Sequence, residues 1–216
     1  MTSWWGSKWW LSYECAYGDE PGTRSRLLAS AGWATRVIDL ARDERLLWRD
    51  VRKSYKALIH RTERDYRILP AALGPHVLVR ACHALHRQAA GRETRPIETW
   101  QLMESWAGID LGAPLVLAKR GGNSDPVAFA YFLTYGAWAY YGYAASLIPD
   151  ANAALIWAAM RTLKARGVAC LEMGWQEQAT NKKGLAIEFF RRGFGGKNVP
   201  ANWLARQEAH GLQPIA

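Results

Sequence analysis

The alternation of apolar and polar positions divides the chain into short extended pieces at its start, helices in its middle and an antiparallel run after residue 110. Trp10 to Tyr17 and Thr35 to Leu40 read as strands separated by the turn-rich loop GDEPGTRSR. Asp43 stands where an N-cap belongs, and Leu47, Trp48, Val51, Tyr55, Leu58 and Ile59 follow at helical spacing. On that single helix Arg45, Arg49, Arg52, Lys56 and His60 recur at i, i+4, i+7, i+11 and i+15, which predicts a basic stripe beside the apolar one. A strand is expected at Tyr66 to Leu69, then helices at about His76 to Ala89 and Ile97 to Trp106.

Strands then follow at Leu115 to Lys119, Val127 to Tyr135 and Trp138 to Ala144, with turns at GGNSDP and Gly136. A helix from Asn152 to Arg166, capped from Asp150 or Asn152 and ended by Gly167, leads to a strand at Val168 to Met173. The chain closes with a helix from Lys183 to Arg192, the turn GFGG and a strand at Asn198 to Arg206. This order predicts the α/β class, with one mixed, mostly antiparallel central sheet flanked by helices. Residues 1 to 40 are expected to form a Trp-rich arm with short strands packed on a domain spanning 41 to 216.

Residues 126 to 149 carry no charge and are long enough to cross a bilayer. Their tyrosines and Trp138 fall mid-segment, however, whereas amphipathic rings collect at membrane interfaces. A buried hairpin is the expectation, with no integral membrane span. The first ten residues hold four tryptophans and no apolar signal core, so a cytoplasmic protein is expected.

The 216 residues are 50% hydrophobic and 22% charged, which suits a folded domain rather than a disordered chain. Three cysteines with no CxxC pair argue against a disulfide framework or a zinc knuckle. Net charge is +9. Residues 42 to 67 hold nine Lys/Arg against five Asp/Glu, and residues 180 to 206 hold six against one. Those two islands account for the whole excess, which points to an anionic ligand, phosphate first.

Four strings carry a family resemblance: VRKSYKALI (51–59), LHRQAAGRETRPIETW (85–100), AYYGYAAS (139–146) and FFRRGFGGK (189–197). Together they resemble the Fem family of aminoacyl-tRNA-dependent peptidyltransferases, built on the GNAT (acyl-CoA N-acyltransferase-like) fold. The resemblance covers roughly residues 35 to 205 and corresponds to the second of the two GNAT-like halves found in longer members. It is similar to the small enzymes that append one amino acid to a peptidyl nucleoside intermediate in pacidamycin-type antibiotic pathways. The resemblance implies aminoacyl-tRNA as co-substrate, no bound cofactor or metal, and amide-bond formation on an amine of a peptide, nucleoside-linked, carrier-protein-tethered or cell-wall (peptidoglycan) precursor. The alternatives are an acyl-CoA-dependent N-acyltransferase and a non-catalytic tRNA-binding module.

A physical argument separates the donors. An acetyl-CoA enzyme of this fold needs a glycine-rich loop whose consecutive N–H groups close on a pyrophosphate. The equivalent stretch here, SLIPDAN (146–152), has no glycine, a proline without an N–H, and a carboxylate at Asp150.

The family's Phe-Lys pair, whose lysine is held to stabilise the transition state, is Phe190-Arg191 here. Arginine keeps the positive charge and adds a fork of donors, but it does not serve as a base at neutral pH. Arg192 and Lys197 would extend a rim toward tRNA phosphates. Arg52, Lys53 and Lys56 are candidate phosphate ligands. Arg92 and Arg95, in a turn between helices, are candidates for a carboxylate or phosphate. Tyr140, Tyr141 and Tyr143 offer stacking faces for the acyl group and an unpaired adenosine. Glu172, near the end of its strand, is placed to orient or deprotonate the acceptor ammonium. His83 and His86 lie at i, i+3 beside Cys82 without a metal-ligand pattern.

Overall fold

A computed structural model describes residues 34–70, 78–121, 125–176 and 182–200. The elements are β1 (Ala34–Asp39), α1 (Glu44–Asp50), α2 (Lys53–Asp65), β2 (Tyr66–Pro70), a π-helical turn (Leu78–Cys82) running into α3 (His83–Ala90), α4 (Ile97–Gly108), β3 (Gly112–Lys119), β4 (Pro126–Tyr135), β5 (Trp138–Ser146), α5 (Ala151–Ala165), β6 (Cys170–Gln176), α6 (Lys182–Arg192) and β7 (Lys197–Pro200). Seven strands form one sheet in the order β2-β3-β4-β5-β6-β1-β7. Every neighbouring pair is antiparallel except β5 and β6, which α5 joins as a parallel crossover. The expected mixed, mostly antiparallel sheet flanked by helices is what forms.

Period-two alternation sorts the sheet's side chains onto two faces. Leu115, Leu117, Ala128, Ala130 and Phe132 join Ile59 of α2 and Leu155, Ile156 and Met160 of α5 in one core. Val116, Phe129, Tyr131 and Leu133, the intervening positions, join Leu85 of α3 and Trp100 and Met103 of α4 in a second. Apolar burial on both faces explains why residues 126–149 lack charge. The hairpin expected there is β4–β5, and no helix among the described residues is long and apolar enough to cross a membrane.

Several sequence expectations are corrected. The single basic-striped helix is two helices: Val51 is extended at φ −64°, ψ 130°, and Arg52 caps α2 at φ −53°, ψ 137°. Arg52 N–H leaves the helix to donate to Gly193 O at 2.7 Å, so packing against the GFGG turn breaks the stripe. Asp43 does cap α1, accepting from Arg45 N–H at 2.8 Å. Asp150 does not cap α5 with its side chain: it sits at φ 63° and its carboxylate pairs with Arg61 at 3.2 Å. Residues 34–39, assigned to the arm, form an inner strand between β6 and β7. The strand expected at Trp10 to Tyr17 lies outside the described residues, as does Ala201 to Arg206 of the last strand, whose described part starts one residue earlier, at Lys197.

Candidate active site

The ladder between β5 and β6 is short. Trp138, Ala139 and Tyr140 pair with Cys170, Leu171 and Glu172, and there it stops although both strands continue. Beyond Tyr140 and Glu172 the two parallel strands therefore leave a gap in the sheet. Three elements bring chemistry to it: β5 with its tyrosines, β6 with Glu172, and the end of α6 with Arg191.

On the face covered by α2 and α5, Arg191 reaches back to β6. Its Nη2 lies 2.8 Å from where a Cβ on Gly174 would stand, so only glycine lets the guanidinium lie against the strand backbone. Gly174 has φ +91°, which favours glycine independently. Tyr141, packed against the same core, has its pKa pushed up to about 12 by burial, and the nearby Arg191 cation pulls it partly back.

The end of α6 is held by α2. Arg52 donates from Nη1 to Tyr55 Oη at 3.1 Å and from Nη2 to Phe189 O at 2.9 Å, and its guanidinium lies 3.7 Å from the Phe189 ring centre. Phe190, Tyr55 and Phe194 form an aromatic triangle with centroids 5.2 to 5.7 Å apart. Gly193 is required there, since a Cβ would come within 2.2 Å of the Tyr55 ring. Arg52, expected to bind phosphate, thus spends its donors on positioning the helix end that carries Arg191. Lys56 likewise donates to Arg49 O at 3.2 Å, whereas Lys53 is exposed. The two basic islands of the sequence meet at this junction.

The opposite face differs. Leu171 and Met173 point into the α5 core, so Glu172 between them points the other way, fully buried, and Thr35 Oγ1 donates to its Oε1. Arg95 lies 4.2 Å over the Tyr143 ring, and its buried Nε makes no hydrogen bond. His86, held by Thr94 at 3.0 Å, has its pKa lowered by burial first and then by Arg95 and His83. His83 pairs with Glu93. Arg92 is exposed on the adjoining turn.

The tyrosine strand accordingly does not form one platform. A bulge at Gly142 sends Tyr140 and Tyr143 to the α3–α4 face and Tyr141 to the α5 face. Arg192 is exposed and paired to Glu188, and Lys197 is exposed on β7. Among the described residues no group of His, Cys, Asp and Glu could hold a metal ion. Sequence reasoning missed Thr35, Gly174, and Arg36, which is buried with Nη1 donating to Gly196 O at 3.1 Å. The unlinked strand position of Thr35, 137 residues from Glu172, gave no local signal.

No family model matches the chain, and no curated protein matches it either. Solved structures do. FemX superposes with a TM-score of 0.64 at 10% identity, covering 82% of this chain and 66% of that one. L-PGS from Bacillus licheniformis gives 0.55 at 13% identity, covering 81% and 62%. The C-terminal domain of a putative lysylphosphatidylglycerol synthetase from Agrobacterium fabrum gives 0.53 at 13%, covering 84% and 66%. The chain spans 66% or less of each. At these identities the likeness establishes architecture: the chain has a FemX-like fold.

Proposed function

We propose that the protein is an aminoacyl-tRNA-dependent aminoacyltransferase that forms an amide between the tRNA-borne amino acid and an acceptor amine. The observation that carries this reading is the turn between β5 and α5. Leu147 N–H donates to Val127 O at 2.9 Å, Ile148 N–H donates to Ser146 Oγ at 3.1 Å, and Pro149 has no N–H. The next residue, Asp150, brings a carboxylate. A glycine-free turn with two N–H groups already bonded, a third missing at Pro149 and an acid–base pair of Asp150 and Arg61 at its end lacks the run of consecutive donors that cradles a pyrophosphate, which disfavours an acyl-CoA donor. The fold shared with FemX and L-PGS supports a transferase of the acyl or aminoacyl kind.

In this reading the loaded end of the tRNA lies on the α5–α6 face, and the acceptor enters from the α3–α4 face, the two meeting where the β5–β6 ladder ends. The acceptor amine attacks the ester carbonyl to form a C–N bond. Arg191 stabilises the oxyanion of the tetrahedral intermediate. Collapse breaks the C–O bond, and the proton lost by the amine ends on the departing ribose hydroxyl. The ester is already activated, so no ATP is consumed. Arg95, with an unused buried donor, binds an anionic group of the acceptor, and Glu172 orients the attacking neutral amine. The acceptor is a peptide, a nucleoside-linked or carrier-tethered peptide, or a cell-wall precursor.

Incubation with a pool of radiolabelled aminoacyl-tRNAs and candidate amine acceptors tests this. Label should pass into a small product, and prior RNase treatment of the donor pool should abolish transfer. Transfer that survives RNase would overturn the proposal.

A further inference from the structure

Helix α6 has an outward face that ordinary solvation does not explain. At 100° per residue, Lys182, Leu185, Ala186, Phe189 and Arg192 fall within one sector, and all are exposed. Leu185 is 53% and Phe189 61% exposed, on the side of the helix away from the core-packed Phe190. The helix has a single acidic residue, Glu188, and Arg192 pairs with it. Beside the stripe, Arg52 supports the inner side of the Phe189 ring at 3.7 Å, and Lys53 is exposed one residue further on.

The geometry points to α6 as a docking surface for an anionic lipid bilayer, with Leu185 and Phe189 entering the headgroup boundary and Lys182 and Lys53 meeting lipid phosphates. Apolar side chains flanked by cations, with the one acid neutralised, match an interfacial helix that uses buried apolar area and attraction to anionic headgroups together. A nucleic acid would use the cations and a stacking ring but has no use for Leu185. The orientation has a consequence for chemistry. Arg191 lies on the inner side of the same helix, so a docked bilayer would stand one helix thickness from the candidate site. This inference does not depend on the identity of the acyl donor.

Co-sedimentation of the full chain with vesicles tests it, using phosphatidylcholine alone and phosphatidylcholine mixed with phosphatidylglycerol. The protein should partition to the mixed vesicles and not to phosphatidylcholine alone. The charge-neutral double variant Leu185→Ser, Phe189→Ser should lose about tenfold or more in partitioning, the scale expected from withholding two apolar side chains from the interface. The double variant also loses the Arg52–Phe189 stack, so its urea midpoint should fall slightly, whereas Leu185→Ser alone should leave the midpoint in place and still lose part of the binding, and Leu185→Ser with Phe189→Leu should recover most of what the double variant loses. Equal vesicle binding by wild type and double variant would reduce the effect to net charge and overturn the inference. A double variant that loses tRNA retention but keeps vesicle binding would assign the surface to nucleic acid, and absence of vesicle binding by the wild type would refute it outright.

Discussion

The two faces of the sheet carry the same residue types, arginine beside tyrosine, yet hold them differently. On the α5 face Arg52 is committed: both its Nη groups and its ring contacts fasten α6 to α2. On the α3–α4 face Arg95 is stacked on Tyr143 and keeps a buried Nε without an acceptor. A committed cation fixes geometry. In the proposed reaction the α5 face is therefore the rigid side, where a positioned Arg191 acts on developing charge, and the α3–α4 face, where Arg95 Nε is unbonded, is the receiving side.

The largest expected effect lies on the rigid side. Arg191→Ala should lower turnover with charged tRNA by about 10²–10³, the usual loss for an oxyanion donor, with the urea midpoint unchanged. Equal losses in turnover and stability would make Arg191 structural and erase the contrast. Next, on the receiving side, Arg95→Ala should raise the KM for acceptor by about tenfold to a hundredfold while kcat and the donor KM hold, the scale of a charged hydrogen bond. A change confined to the donor KM would exchange the two faces.

Smaller effects sharpen the comparison. Gly193→Ala, which drives a Cβ into the Tyr55 ring, should cost about 1–3 kcal/mol by urea denaturation, an overpacking penalty, and reduce turnover with it. The smallest effect is the pH response of His86. Its pKa is lowered in the folded protein, so the unfolded chain binds the proton more readily, and stability contributed by this site is kept above the ordinary histidine value of about 6.5 and lost as pH falls below it. An NMR titration of the His86 ring should place its midpoint below the ordinary histidine value of about 6.5. A midpoint above it would mean that Glu93 outweighs burial.

Much of this was legible in the sequence because the signals were local. The uncharged tyrosine-rich hairpin, the β–α–β crossover and the glycine-free SLIPDAN turn follow from pattern and turn chemistry, and the four family-like strings led to Arg191 and Arg95. What failed did so where distant packing overrode local preference. The basic stripe broke at Val51 because Arg52 N–H goes to Gly193, far along the chain. Alternation alone separates Tyr141 from Tyr140, but the bulge at Gly142 moves Tyr143 to the side of Tyr140, which period-two counting does not show. Gly174 carries no local signal for the arrival of Arg191 from another element.

The central claim is that the donor is a loaded tRNA rather than an acyl-CoA. One reaction containing ¹⁴C-aminoacyl-tRNA and ³H-acetyl-CoA, offered together with an amine acceptor, tests it directly. The account predicts ¹⁴C in the amide product and ³H remaining on coenzyme A. Tritium in the product with ¹⁴C left on tRNA would contradict it.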